Sequence, residues 1–222
     1  MKLIEYHNMF GGVSWKITDQ GIVVQGSGLI LINAPELARA QKYMAKYANE
    51  YAAASKGTWG VPVELLVACS MTESAPVNPE TCVREGPGYV SDEQTPMHIS
   101  AGFCQLLISA ARWIMHDPKI DRQWLFNVSN SLTACAKLMK SAASKTFLDP
   151  ILAACTYNAG GLYQNDGAEN RWKLRQFPIG TSRHADRFGE YLNIAMQRGE
   201  DRFGKLESGT SLFWHSWQEC TF

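Results

Sequence analysis

The apolar residues of this chain change period once, at Asn33-Ala34-Pro35. Before that point Trp15-Lys16-Ile17-Thr18, Ile22-Val23-Val24 and Leu29-Ile30-Leu31-Ile32 read as short extended segments, separated by turns at Asp19-Gln20-Gly21 and Gly26-Ser27-Gly28. After it, apolar residues recur at helical spacing, beginning with Leu37, Ala40, Met44, Tyr47 and Tyr51 through about Ala54. The expected fold class is therefore mainly α, an α-helical (α+β) domain with a small N-terminal β-hairpin segment. The expected division is a β-rich segment over 1–34, a helical domain over 35–200 and an aromatic extension over 201–222. That extension carries Leu212-Phe213-Trp214-His215-Ser216-Trp217 and is expected to pack back on the domain, because left exposed it would invite association.

Further helices follow from local punctuation. Pro62 at a first turn opens one with Leu65, Leu66, Cys69 and Met71, running to about Ser74. Residues 102–116 form another, and Asp121 caps a longer one whose stripe is Leu125, Val128, Leu132, Cys135 and Met139. Asp149-Pro150 starts a helix that Gly160-Gly161 stops, and a last one spans about 182–198 with Ala185, Phe188, Tyr191, Leu192 and Met196 inward. Between Ser74 and Ser100 lie Pro76, Pro79, Pro87 and Pro96 and little periodicity; a loop that long inside a compact domain is usually functional.

Charge and cysteine usage exclude several classes. Lys+Arg 21 against Asp+Glu 21 leaves no net charge, hence no global field for nucleic acid or an anionic surface. Behind Lys2 there is no apolar core of about seven residues, and no apolar run approaches membrane-spanning length. No leader and no membrane insertion are expected. Six cysteines are too sparse for a disulfide framework, and Cys69, Cys104, Cys135 and Cys155 sit in apolar helical patterns that suit buried thiols. The histidines, His7, His98, His116, His184 and His215, lack ligand spacing, so neither a metal nor a cofactor is expected.

Three strings place polar residues at the ends of apolar helices: Glu73-Ser74, Gly102-Phe103-Cys104-Gln105 and Thr156-Tyr157-Asn158-Ala159-Gly160. Glu73 shares a helical face with Leu66 and Cys69, so its carboxyl leans on apolar surface. Desolvation there raises its pKa, and a shift of about two units corresponds to roughly 2.7 kcal/mol of ionisation free energy. A carboxyl kept protonated near neutrality can give a proton to a leaving oxygen.

In this order the strings resemble the signature of the soluble lytic transglycosylases, members of the lysozyme-like superfamily, which carry a Glu-Ser pair, a Gly-Leu-Met-Gln-like turn and an Ala-Tyr-Asn-Ala-Gly string. The run Gly60-Val61-Pro62-Val63-Glu64-Leu65-Leu66 is similar too, and the resemblance covers about 55–200. It implies a lysozyme-like domain in which Glu73 is the catalytic acid and base, with Ser74, Gln105, Tyr157 and Asn158 binding the glycan. The implied partner is the peptidoglycan glycan strand. The implied reaction cuts the β-1,4 bond between N-acetylmuramic acid and N-acetylglucosamine, with the muramoyl C6 hydroxyl closing on C1 to leave a 1,6-anhydro end. The neighbouring N-acetyl oxygen assists, so one protein carboxylate suffices. Cys104 stands where the family usually has Met and Thr156 where it usually has Ala, and the loop after Glu73 is longer than in compact members.

Other classes stand beside this one. A hydrolytic muramidase would need a second acid, for which the long loop offers Glu80, Glu85, Asp92 and Glu93. Cys104 as a nucleophile with His98 or His184 would make a peptidoglycan amidase or peptidase. A catalytically dead glycan-binding module would keep the cleft alone. None of the seven tryptophans is assigned to the site, and Arg183-His184-Ala185-Asp186-Arg187-Phe188 reads as a surface ion-pair cluster opening a helix. With no leader and a substrate outside the cytoplasm, the expected route is synthesis in the cytoplasm followed by delivery to the periplasm or cell wall. The carrier would be a secretion apparatus, with an immunity or inhibitor protein as partner, or phage lysis machinery.

Overall fold

The computed structural model describes residues 2–58 and 60–203, with side chains through 198. The N-terminal segment forms an antiparallel sheet of β1 (Trp15–Thr18), β2 (Gly21–Val24) and β3 (Gly28–Leu29), in that order, with Trp15 opposite Val24. Trp15 and Ile17 point inward while Lys16 and Thr18 are less buried, the period-2 pattern of a one-sided sheet. The Leu29–Ile32 strand expected from the sequence pattern shrinks to Gly28–Leu29, and beyond it Leu31 is exposed and lies in no strand.

The helices are α1 (Ala34–Lys46), α2 (Ala48–Gly57), α3 (Val63–Glu73), α4 (Ile108–Met115), α5 (Arg122–Phe126), α6 (Val128–Ser141), α7 (Ala143–Thr146), α8 (Pro150–Ala159) and α9 (Arg183–Phe203). Every residue of α3 is buried, so it is the central helix, and α9 packs along it and also against α1, α8 and β2. Asn193 of α9, fully buried, fastens the N-terminal sheet: its Oδ1 accepts from Ile22 N at 2.8 Å and its Nδ2 donates to Ile30 O at 2.9 Å. The sheet, the central helix and α9 share one continuous apolar core. The fold is thus the mainly α, lysozyme-like arrangement with an N-terminal hairpin.

Three helix readings need correction. The helix expected through Ala54 breaks at Tyr47, whose ring meets Phe103 edge-on at 5.4 Å and whose hydroxyl donates to Glu80 at 2.6 Å. Asp121 caps only α5, accepting from Trp124 N, and Asn127 starts α6 by accepting from Asn130 N. The stripe from Leu125 to Met139 crosses that break without losing its period. The helix expected over 102–116 begins only at Ile108.

What precedes α4 belongs to a second sheet. Its strands are β4 (Val83–Glu85), β5 (Ile99–Ala101) and β6 (Leu106–Leu107), antiparallel in that order, with a 3₁₀ turn at Pro96–His98. The supposed structureless loop therefore contains strands too short to show alternation. Gly102 sits in the β5–β6 turn at φ +75°, where a Cβ would fall 2.1 Å from the Leu125 carbonyl oxygen. Only glycine fits that close approach. Packing of the 201–222 extension concerns residues beyond Phe203 and lies outside the described residues, as do Trp59, Trp214 and Trp217. Among the described residues no helix is long and apolar enough to cross a membrane, and no cluster of His, Cys, Asp or Glu could hold a metal ion.

Candidate active site

Helix α3 ends because Ser74 turns to extended backbone, and two arginines, Arg39 and Arg84, donate to carbonyls at and just beyond that end. Arg39 donates to Met71 O at 2.9 Å, Ser74 O at 2.9 Å and Ala75 O at 3.1 Å, a cation at the negative end of the helix. Its guanidinium also holds Ser74 Oγ at 2.8 Å, and Ser74 is 2% exposed. Ser74, expected to bind glycan, thus has its hydroxyl committed to Arg39 and does not line the cleft described below.

Glu73, the residue before Ser74, is 7% exposed. Arg84 from β4 donates to its carbonyl oxygen at 2.8 Å and brings a guanidinium nitrogen to 3.7 Å from Oε2. From α9, His184 places Nε2 3.5 Å from Oε1. Burial pushes the Glu73 pKa up to about 7, against the pull of Arg84 and Arg187. Burial also pushes His184 down to about 4, with Arg187 and Arg84 acting in the same sense. Between those values the pair is a protonated carboxyl beside a neutral imidazole, because desolvation disfavours the charged form of each.

A cleft of about 710 Å³ opens over this carboxyl and brings together Glu73, Gln105, Tyr157 and Asn158. Gln105 spends its amide on the turn that carries it: Nε2 donates to Cys82 O at 2.9 Å and Gly102 O at 3.0 Å, and Oε1 accepts from Ser100 Oγ at 3.1 Å. Tyr157 donates to Cys104 O at 2.7 Å, tying α8 to the same turn. Asn158 Oδ1 accepts from Phe177 N, leaving its Nδ2 without a partner among the described residues. The first two side chains shape the walls, and the Asn158 amide nitrogen is free to meet a ligand.

Sequence reasoning missed Arg84, which sits in the aperiodic loop, and considered His184 only as a partner for a thiol or as part of a surface ion-pair cluster. It also set aside every tryptophan, yet Trp113 lines the cleft at 61% exposure, and Lys145 lines it too. No local signal distinguishes Trp113 from its buried counterparts Trp15 and Trp172. The ion-pair reading of 183–188 holds for Asp186, which meets Arg171 at 2.7 Å, and misses His184.

The rival chemistries meet specific obstacles. Cys104 is fully buried and burial pushes its thiol pKa well up, the reverse of what a nucleophile requires. Glu80 pairs with Lys46 at 2.7 Å, and Asp92 pairs with Arg122 at 2.6 Å, whose hydrogen bonds hold its carboxyl down at about 2. Glu93 is exposed. Glu85 stands in an adjoining hollow of about 460 Å³ that shares Arg84, Ser100 and Leu107 with the cleft, and it pairs with Arg122 at 3.3 Å. Among the described residues lining the cleft itself, Glu73 is the only acid.

The family model described as Transglycosylase SLT domain matches residues 50–176, more than half of the chain. The chain belongs to the SLT transglycosylase family. No curated protein and no solved structure gives a match. The match runs from α2 through α8 and takes in all three strings that line the cleft, while the N-terminal sheet and α9 lie outside it. Membership makes this SLT domain a peptidoglycan-cleaving enzyme of lytic transglycosylase type, with glycan strands as its substrate.

Proposed function

We propose that Glu73 alone performs the proton transfers that cut the strand between N-acetylmuramic acid and N-acetylglucosamine. The cleft would seat the glycan with the scissile oxygen over the carboxyl. Glu73 gives its proton to that oxygen as the bond to C1 breaks, and the N-acetyl oxygen of the muramoyl sugar closes on C1. The carboxylate then takes the proton of the C6 hydroxyl while O6 displaces the N-acetyl oxygen, leaving a 1,6-anhydro end. The observation that carries this reading is a carboxyl with a pKa near 7 and no second acid beside it in the cleft lining. A hydrolase that activates water would want such a partner. Mass spectrometry of muropeptides released from purified sacculi tests it: anhydromuramic ends are expected, and free reducing muramic ends in their place would overturn it.

Two variants refine the reading. Glu85 is the loop acid closest in placement to the cleft, so Glu85→Gln asks whether it assists. Because its charge is already engaged by Arg122, release rates within about twofold of wild type are expected. A loss comparable to that of a Glu73 variant would favour the muramidase. Trp113 offers an indole face to a sugar ring, and Trp113→Ala should raise KM about fivefold with kcat little changed, measured on soluble glycan chains. The wall lies outside the cytoplasm, so we place the enzyme's action there after delivery by a secretion apparatus or by phage machinery. An adjoining gene for an immunity protein would mark the first, a holin gene the second.

A further inference from the structure

Resting on the assignment of Glu73 as the catalytic acid, we propose that His184 is its positioning residue: a neutral donor that receives the carboxylate formed when the proton leaves. His184 belongs to α9, beyond the segment that the family model matches, and none of the three signature strings contains it. Yet its Nε2 lies 3.5 Å from Glu73 Oε1, and both side chains are 9% exposed. At that separation the two do not form a hydrogen bond in the resting state. Among the described residues no other group donates to the Glu73 carboxyl, and the nearest cation there, Arg84, stands at 3.7 Å and is 61% exposed.

An uncharged carboxyl tolerates this isolation, whereas a buried carboxylate does not. Once the proton has passed to the glycosidic oxygen and the bond from that oxygen to C1 has broken, Oε1 carries new charge next to an imidazole N–H. A contraction of a few tenths of an ångström makes a charge-assisted hydrogen bond. No proton leaves the imidazole, so the carboxylate remains free to accept the C6 hydroxyl proton in the second step. Neutrality is as necessary as donation: a cation at this position would ionise Glu73 before substrate arrives. The groups around the pair fit that demand. Glu73 faces Arg84 from β4, Cys135 from α6 and Arg187 from α9, with Cys69, Cys104 and Tyr157 the other titratable groups nearby. His184 faces Arg187 and Arg84, and its burial keeps it uncharged at neutral pH.

The test compares His184→Phe, which fills the space without a donor, with His184→Gln, which restores one at similar reach. Rates of muropeptide release are measured from pH 4 to 9 on the full chain. His184→Phe should lower kcat about tenfold with KM unchanged, and should move the alkaline limb of the profile up by about one unit as the carboxylate loses its donor. His184→Gln should recover most of both. If Phe does not fold, His184→Met takes its place in the same comparison. Equal profiles for wild type and the apolar variant would overturn the proposal, as would a Gln variant no better than the apolar one, which would make the role packing alone. Glu73→Gln separates the two readings: if it remains active, the assignment of Glu73 falls. If Glu73→Gln is inert and His184 variants behave as wild type, only the role of His184 falls.

Discussion

Glu73→Gln should release no anhydro-muropeptides above background, a loss of about a thousandfold or more, while yielding a protein that is more stable than wild type at neutral and alkaline pH. The first half follows from the chemistry: an amide cannot give a proton to the glycosidic oxygen, and general acid catalysis of this kind contributes about 10²–10⁴-fold per transfer. The second half follows from linkage. The carboxyl rises from 4.5 in the unfolded chain to about 7 in the fold, so the folded state holds a proton that the unfolded state has released across that window. Stability contributed by this group therefore falls as pH rises from 4.5 to 7 and stays low above it, by about 3 kcal/mol. Glutamine carries no such penalty. His184 adds the opposite slope, because its folded pKa of about 4 lies below the ordinary 6.5 and costs stability as pH falls below 6.5. That term is common to both proteins and largely cancels in their difference. The gap in Tm between variant and wild type should be near zero at pH 4 and reach roughly 6–10 °C at pH 8. Thermal melts across pH measure it without substrate. A gap that does not grow with pH would mean that Glu73 is already ionised in the resting fold and unfit as an acid.

What made Glu73 legible in the sequence was local: Leu66 and Cys69 stand on its own helical face, so its burial follows from spacing within α3. The ends of α8 were legible for the same reason, since Asp149, Pro150 and Gly160 each act within one turn of the helix. The breaks at Tyr47 and Asn127 were not. In both places the apolar stripe continues across the break, and at Tyr47 the ring and hydroxyl meet Phe103 and Glu80, partners brought in by the tertiary fold. The second sheet escaped because strands of two or three residues cannot display a period of two. The same distinction governs the site. The three strings locate Gln105 and Tyr157 in the cleft, but their hydrogen bonds to Cys82, Gly102 and Cys104 turn out to hold its walls together. Ser74 Oγ accepts from Arg39 of a different helix, a contact that spacing within α3 does not show. Arg84 and His184 reach Glu73 from β4 and α9, and nothing in the neighbourhood of either residue announces the meeting.

The largest structural loss is expected at Asp149, where the N-terminal segment and the helix carrying Tyr157 and Asn158 share one buried carboxylate. Its Oδ1 accepts from Ile151 N at 2.9 Å and Leu152 N at 3.0 Å, capping α8. Its Oδ2 accepts from Trp15 Nε1 at 2.9 Å and meets His7 Nε2 at 3.0 Å, and the side chain has no exposure. Asp149→Ala removes the cap, worth about 1 kcal/mol. It also strands the buried indole N–H of Trp15 and deprives His7 Nε2 of its partner, each worth about 1–3 kcal/mol. A total of about 3–7 kcal/mol is expected, a fall in Tm of roughly 10 °C or more for a chain of this size. Asp149→Asn keeps one cap oxygen but turns an NH2 group toward Trp15, so it should lie between. The His7 part has its own signature. Burial alone would lower the His7 pKa, but the hydrogen bond and charge of Asp149 outweigh it and the pKa is raised. Its contribution is therefore fully present below the ordinary 6.5 and lost as pH climbs through the raised value. The cost of His7→Ala should shrink toward alkaline pH while that of Trp15→Phe stays level, because the indole does not titrate. Parallel pH dependence for the two variants, or an Asp149→Ala protein that melts with wild type, would show that the carboxylate does not join the N-terminal sheet to the helix behind the cleft.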